Sequence, residues 1–265
     1  MGLGSLFKRL PPRQAIDFTA MAASAEQRAA WLSAGHQGLA KVYAEHKGRI
    51  LHKWVHYLDV YERYFAQYRG KPLRMLEIGV SQGGSLEMWR SYFGPEATIV
   101  GIDINPQSAT CVDPPNQVRI GSQADPQFLK SIIDEMGAPD IILDDGSHVA
   151  EHQTASFRAL FPLLKDGGLY VIEDLHTSYW DGCFGGGYQR RGTAIELAKQ
   201  LVDDMHHWYH GEAVALSTDV EAVHNHDSIV VIEKRRAKQP MHLHVGRDAP
   251  EDGSIPENAA LFPPR

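Results

Sequence analysis

Two acidic clusters, each with a histidine close behind, carry the first chemical signal in this sequence. Asp144-Asp145-Gly146-Ser147-His148 follows the apolar run Ile141-Ile142-Leu143, and Glu173-Asp174-Leu175-His176 follows Leu169-Tyr170-Val171-Ile172. Carboxylates gathered at one place cannot all stay ionised without compensation, so either their pKa values rise or a hard divalent cation sits among them. Oxygen donors with no cysteine nearby favour Mg2+ or a similar ion over zinc. His148 is expected on the first turn of the following helix, facing the same cavity, and a histidine suits a general base worth roughly 10² to 10⁴ in rate. A plainer reading has Asp145 or Ser147 capping that helix and His148 solvated; the second acidic cluster opposite weighs against it. His152 and His176 read as flanking or surface residues. His242 and His244 alternate on a possible strand without an acidic or cysteine companion and read as structural.

A second signal is the glycine turn Leu76-Glu77-Ile78-Gly79-Val80-Ser81-Gln82-Gly83-Gly84-Ser85. Glycines let the backbone bend sharply and approach a ligand, and the amides at the start of the next helix attract an anion. Ser81 stands where a dinucleotide fingerprint wants its second glycine, so NAD is the weaker fit. Asp103, about 20 residues on, ends the next strand, where a carboxylate accepts hydrogen bonds from ribose hydroxyls. Glu77 is costly near a strand top unless paired with a cation, and an amine or sulfonium supplies one. S-adenosylmethionine carries both charges. The pattern from Glu77 through Gly79 to Gly83, with Ser85 and the later Asp103, resembles the first motifs of class I methyltransferases; a bare strand-to-helix turn with an edge charge is the alternative.

The elements that must position these groups follow from periodicity. Short β-branched runs at 74–80, 98–104, 140–143 and 169–175 alternate with helical segments at 85–92, 126–136 and 151–164, which predicts a doubly wound, mostly parallel Rossmann-like α/β sheet. Both acidic clusters then fall at carboxyl ends of neighbouring strands, where such sheets hold ligands. A helix over 193–207 and strand-like runs at 221–224 and 228–234, joined by His224-Asn225-His226-Asp227, predict a closing C-terminal antiparallel hairpin. Upstream, 24–35 and 37–48 read as helices, the first with a capping box of Ser24 and Gln27. Tyr57, Tyr61, Tyr64, Phe65 and Tyr68 form one helical stripe ending at Gly70 and Pro72, expected to be core. The chain is expected to divide into an N-terminal helical extension (1–70), a cofactor-binding domain (71–236) and an irregular C-terminal tail (237–265).

Composition bounds the rest. With 26 Lys plus Arg against 33 Asp plus Glu over 265 residues, the formal net charge is −7, which disfavours nucleic acid as a partner. Two cysteines, Cys111 and Cys183, fit a reducing compartment. No apolar run is long enough to span a bilayer, and residues 1–12 lack the apolar region of a signal peptide, so a cytoplasmic location is expected. Self-association is left open.

The acidic clusters, extended to Val171-Ile172-Glu173-Asp174-Leu175-His176-Thr177-Ser178-Tyr179-Trp180, resemble those of the metal-dependent sugar O-methyltransferases of macrolide and tetracenomycin biosynthesis. The upstream run Lys53-Trp54-Val55-His56-Tyr57, with Tyr61 and Phe65, is similar to the segment before their cofactor domain, and the resemblance covers about residues 50 to 180. It implies that Asp145, Glu173 and Asp174 ligate magnesium, that His148 is the base, and that Glu77, Gly79, Ser85 and Asp103 line an S-adenosylmethionine site. It further implies a saccharide or glycosylated natural product as acceptor. Residues 181–192, rich in glycine and flanked by Tyr179, Trp180, Phe184 and Tyr188, read as an acceptor lid or a plain linker. The rival functions are a metal-dependent oxidoreductase or hydroxylase on the same fold and a non-catalytic glycan-binding relative.

Overall fold

A computed structural model describes residues 21–246. Residues 1–20 and 247–265, which include the start of the extension and most of the predicted tail, lie outside the described residues. Seven strands form one sheet: β1 (Arg74–Ile78), β2 (Thr98–Asp103), β3 (Gln117–Ile120), β4 (Ile141–Asp144), β5 (Leu169–Ile172), β6 (Val220–His226) and β7 (Ile229–Lys234). Their order is β3-β2-β1-β4-β5-β7-β6. The first five pair in parallel, while β7 pairs antiparallel to β5 and to β6. The predicted α/β sheet and closing hairpin are thus both present, and the direction of winding reverses between β1 and β4. That reversal leaves a crevice beyond the strand ends, the position where open α/β sheets bind ligands.

The central strands are buried along nearly their whole length, as expected when helices cover both faces. On one face α5 (Pro126–Met136), α6 (Ala150–Leu160) and α7 (Ala194–Met205) pack through Leu129, Ile132, Phe157, Leu160 and Leu201. On the other, α4 (Gly84–Phe93) packs with α2 (Gly38–Ala44) and α3 (Tyr57–Phe65). The upstream helices therefore share a core with the sheet. Within the aromatic stripe Tyr57, Tyr61 and Phe65 are fully buried, and Phe65 meets Trp89 of α4 edge-on with ring centroids 5.6 Å apart. Burial of a ring such as Phe65 contributes about 2 to 3 kcal/mol. Tyr64 and Tyr68 lie at the edge of this core, only partly covered.

Local differences from the predicted elements have simple causes. The helix α1 (Ala25–Leu32) has its capping box, with Gln27 N donating to Ser24 Oγ and Ser24 N to Gln27 Oε1, but ends before the left-handed Gly35. β3 was not expected, because its residues alternate with charge and it lies at the sheet edge, only half-buried. β5 stops at Ile172 because Asp174 adopts φ 55°, which breaks the extended chain before the acidic pair is complete. The hairpin closes at Asp227 and Ser228, with Ser228 at φ 62°, so His224 to His226 belong to β6 rather than to the turn. His242 and His244 lie on an exposed, irregular segment.

Candidate active site

The glycine turn leaves β1 through Gly79, whose φ of 89° already favours glycine. A side chain there would collide with the backbone carbonyl of Asp145 at the end of β4. The turn is held from the next strand: the Asp103 carboxylate accepts from Val80 N at 3.0 Å and Ser81 N at 2.8 Å through Oδ2, and from Asn105 N at 2.8 Å through Oδ1. Gly83, at φ 84°, caps α4 behind the turn, against the carbonyl of Cys111.

Two adjoining cavities open at these strand ends. The larger, about 300 Å³, is lined by Gly79, Ser85, Asp103, Asp145, His148, Glu173 and Asp174 from the sheet and by Leu51 to Trp54 from the upstream segment. The smaller, about 190 Å³, is walled by Ile78, Ile102 and Ile104 with Gln123 and His152. Gly79, Asp103 and Gly146 border both, so an elongated ligand with one apolar, flat end and one polar end fits across them.

Glu77 lies behind this cleft, fully buried. Its Oε2 accepts from Ser85 Oγ at 3.0 Å, its Oε1 has no hydrogen-bond partner among the described residues, and Lys53 Nζ is 3.9 Å away. Burial pushes its pKa up to about 7, with Lys53 opposing. Asp144 is also fully buried, turned away from the cleft towards Ser156 (2.5 Å) and Gln123 (3.1 Å). Gln123 in turn accepts from Ser147 N at 2.7 Å, which ties Asp144 to the loop carrying His148.

That loop, not the first turn of α6, holds His148. The helix starts at Ala150, its N-cap is Val149 with no side-chain cap, and His148 stands at φ 56°. Its Nε2 lies 3.8 Å from Asp145 Oδ1 and 3.5 Å from Asp174 Oδ2, while its buried Nδ1 has no hydrogen-bond partner among the described residues. Donor atoms of Asp145, His148 and Asp174 all fall within 4.8 Å of one another, the one such cluster found among the described residues. The two hard carboxylate oxygens, partly exposed at the base of the cleft, fit a divalent cation, with the imidazole beside them.

Glu173 also lines the larger cavity but falls outside that cluster. It is buried, its Oε1 accepting from Lys53 Nζ at 2.7 Å and from Tyr61 OH. Lys53 also donates to Asp145 Oδ2. Although burial works against its charge, Asp145, Glu173 and Glu77 together hold the Lys53 ammonium well above its usual range. Tyr57 OH donates to Asp174 Oδ1 at 2.8 Å. Lys53, Tyr57 and Tyr61 are site neighbours that residue types and spacing alone do not single out. Their four-residue spacing was the available signal, but an aromatic stripe at helical period points first to packing.

Residues 181–192 form a loop of turns, with Phe184 O accepting from Ala150 N at 3.0 Å. Trp54, His176, Trp180 and Phe184 make a row of rings from the cleft to this loop, with successive centroids 5.8, 4.8 and 5.7 Å apart. His152 Nδ1 lies 2.9 Å from Ser147 Oγ, beside the smaller cavity.

Sheet order and glycine cleft define a class I methyltransferase fold, and residues 76–175 match the family model described as a methyltransferase domain. Within that class the chain is similar to sugar O-methyltransferases. It is 40% identical over 213 residues to 8-demethyl-8-(2-methoxy-alpha-L-rhamnosyl)-tetracenomycin-C 3'-O-methyltransferase of Streptomyces olivaceus, covering 75% of this chain and 54% of that protein. It is 44% identical over 161 residues to mycinamicin VI 2''-O-methyltransferase of Micromonospora griseorubida, covering 56% of this chain and 39% of that one. The solved structure of MycE methyltransferase in complex with Mg, SAH and mycinamycin VI superposes with a TM-score of 0.69 at 34% identity, over 76% of this chain and 54% of that chain. The chain spans about half the length, or less, of the curated relatives it matches. No helix among the described residues is long and apolar enough to cross a membrane.

Proposed function

We propose that the protein transfers the methyl group of S-adenosylmethionine to a hydroxyl of a sugar, with Mg2+ or a similar ion at the acidic cluster and a glycosylated natural product or saccharide as acceptor. The observation that carries this is the shared cleft: the Gly79–Asp103 cradle and the Asp145–His148–Asp174 cluster line one cavity. The relatives support the acceptor class, since those named above methylate rhamnose on tetracenomycin or act on mycinamicin VI.

In this reading Gly79 gives the methyl donor room against the backbone, Asp103 faces its ribose, and Ser85, with the Glu77 carboxylate behind it, meets its charged amino-acid end. Asp145, Glu173 and Asp174 supply oxygen atoms to the cation. When bound, the two groups supply an electrophilic sulfonium methyl and a Lewis acid that lowers the pKa of an acceptor hydroxyl. His148 Nε2 takes the hydroxyl proton, and the flanking Asp145 and Asp174 carboxylates, 3.8 and 3.5 Å away, stabilise the imidazolium that results. Gly79, Ser85 and Asp103 would hold the donor so that its methyl carbon passes to that hydroxyl oxygen, its carbon–sulfur bond breaking. The ring row from Trp54 to Phe184 offers apolar faces for the sugar and its aglycone. Holding both reactants in register accounts for most of the gain in rate.

The test is a screen of glycosylated metabolites with isotopically labelled S-adenosylmethionine, with and without EDTA. Label transfer to a sugar hydroxyl, lost on chelation and restored by Mg2+, is the expected result. Transfer to a nitrogen or carbon, or transfer that survives chelation, overturns it.

A further inference from the structure

Two carboxylates of the acidic cluster divide their contacts between two sides. Asp145 gives Oδ2 to Lys53 and turns Oδ1 towards His148; Asp174 gives Oδ1 to Tyr57 at 2.8 Å and turns Oδ2 towards His148. Glu173 takes both Lys53 and Tyr61 on the same atom, Oε1, which leaves its other oxygen outside those two bonds. The partners on the far side all come from one stretch of chain, at positions 53, 57 and 61, upstream of the matched methyltransferase domain. Tyr57 and Tyr61, four residues apart, stack on one face of α3 and reach Asp174 and Glu173 at the carboxyl end of β5, while Lys53, on the irregular segment before α3, reaches Glu173 and, after β4, Asp145. The Lys53 side chain is only 2% exposed, so an ammonium is kept out of water solely against these acids, at a cost that a packing role does not require.

We infer that Lys53, Tyr57 and Tyr61 are positioning residues for the divalent-cation site: they fix one oxygen of each of Asp145, Glu173 and Asp174 and so aim the other towards the cleft, with Lys53 as the resident counter-charge. The inference rests on the proposed cation site. It goes beyond that reading by placing half of the site's machinery in the upstream segment. Partners of ligating carboxylates orient them and commonly change metal affinity by about 10- to 100-fold when removed.

The test uses the full chain and Mn2+ as probe, with bound ion followed by electron paramagnetic resonance. Tyr57→Phe and Tyr61→Phe keep the ring and its packing and remove only the hydroxyl; each is expected to weaken Mn2+ binding by about tenfold, with the affinity for S-adenosylhomocysteine unchanged. Lys53→Met leaves the acids facing one another, so the metal-free variant is expected to melt lower and to gain about twice the wild-type rise in Tm on saturation with Mn2+; Lys53→Arg is expected to restore the wild-type rise. Unchanged Mn2+ affinity in both phenylalanine variants overturns the inference, as does a Lys53→Met variant whose gain in Tm is no larger than that of the wild type. If Lys53→Met does not fold even with Mn2+, the two tyrosine variants decide. Failure of the wild type itself to bind Mn2+ would instead overturn the cation site, so the two readings fail in different measurements.

Discussion

The backbone carbonyl of Asp145 fills the space in which a side chain at Gly79 would begin. The tip of β4 and the turn after β1 are thereby packed backbone to backbone, and the cofactor cradle and the acidic cluster share one wall. Gly79→Ala must therefore move both, besides forcing alanine to a φ of 89°. A loss of about 1 to 3 kcal/mol in stability is expected, with S-adenosylhomocysteine affinity and Mn2+ affinity falling together. Thermal melts and calorimetric titrations check this; a variant that loses neither affinity shows that the two sites are mechanically separate.

His148 approaches Asp145 and Asp174 but lies in neither the glycine turn nor the apolar cavity. His148→Gln, which keeps polarity without a base, is expected to lower kcat by about 10² to 10⁴ with S-adenosylhomocysteine binding retained. Loss of that binding instead would place His148 in the cofactor cradle.

Asp174 contributes an oxygen to the candidate cation cluster and is held by Tyr57. Asp174→Asn keeps the geometry and removes the charge, so half-saturation of activity should require about 10- to 100-fold more Mg2+. A titration of activity against free Mg2+ measures this, and an unshifted curve removes Asp174 from the site.

Glu77 gives a pH signature. Its carboxyl has an ordinary value of 4.5 and is raised to about 7 by burial, so between these values the folded protein binds more protons at this group than the unfolded chain does. Stability then falls as pH rises through that window, by about 3 kcal/mol in total. Glu77→Gln escapes the penalty: without cofactor, its Tm should exceed the wild-type value at pH 8, and the advantage should disappear by about pH 5. The same substitution should weaken S-adenosylmethionine binding at pH 8, where the ionised carboxylate would otherwise meet the amine. Parallel Tm profiles across this range would show that Glu77 is not protonated on folding.

The parallel sheet was legible because β1, β2, β4 and β5 are buried and read as largely apolar runs, interrupted within β1 by Glu77. Placing two acidic breaks at neighbouring strand ends brought Asp145 and Asp174 together with His148 beside them, whereas Glu173, expected with them as a ligand, falls outside that cluster. β3 escaped because an edge strand needs no apolar run. The backbone of His148 escaped for another reason: φ 56° at a non-glycine residue is imposed by tertiary contacts, and no local propensity announces it. Lys53, Tyr57 and Tyr61 were hidden differently. Tyr57 and Tyr61 bury their rings in the core and use only the hydroxyls at the site, so a periodic pattern reports the packing and is silent about the oxygen atoms.

The two-residue turn between β6 and β7 sits against this machinery. Ser228 O accepts from Tyr57 OH at 2.9 Å and from Leu175 N at 2.9 Å, its Oγ lies 2.5 Å from His176 Nδ1, and Asp227 O lies 3.0 Å from His56 Nε2. Hairpin tips are ordinarily where chains absorb added residues at little cost. Here the tip is a latch: a residue added at Asp227 or Ser228 would pull on the same Tyr57 hydroxyl that holds Asp174.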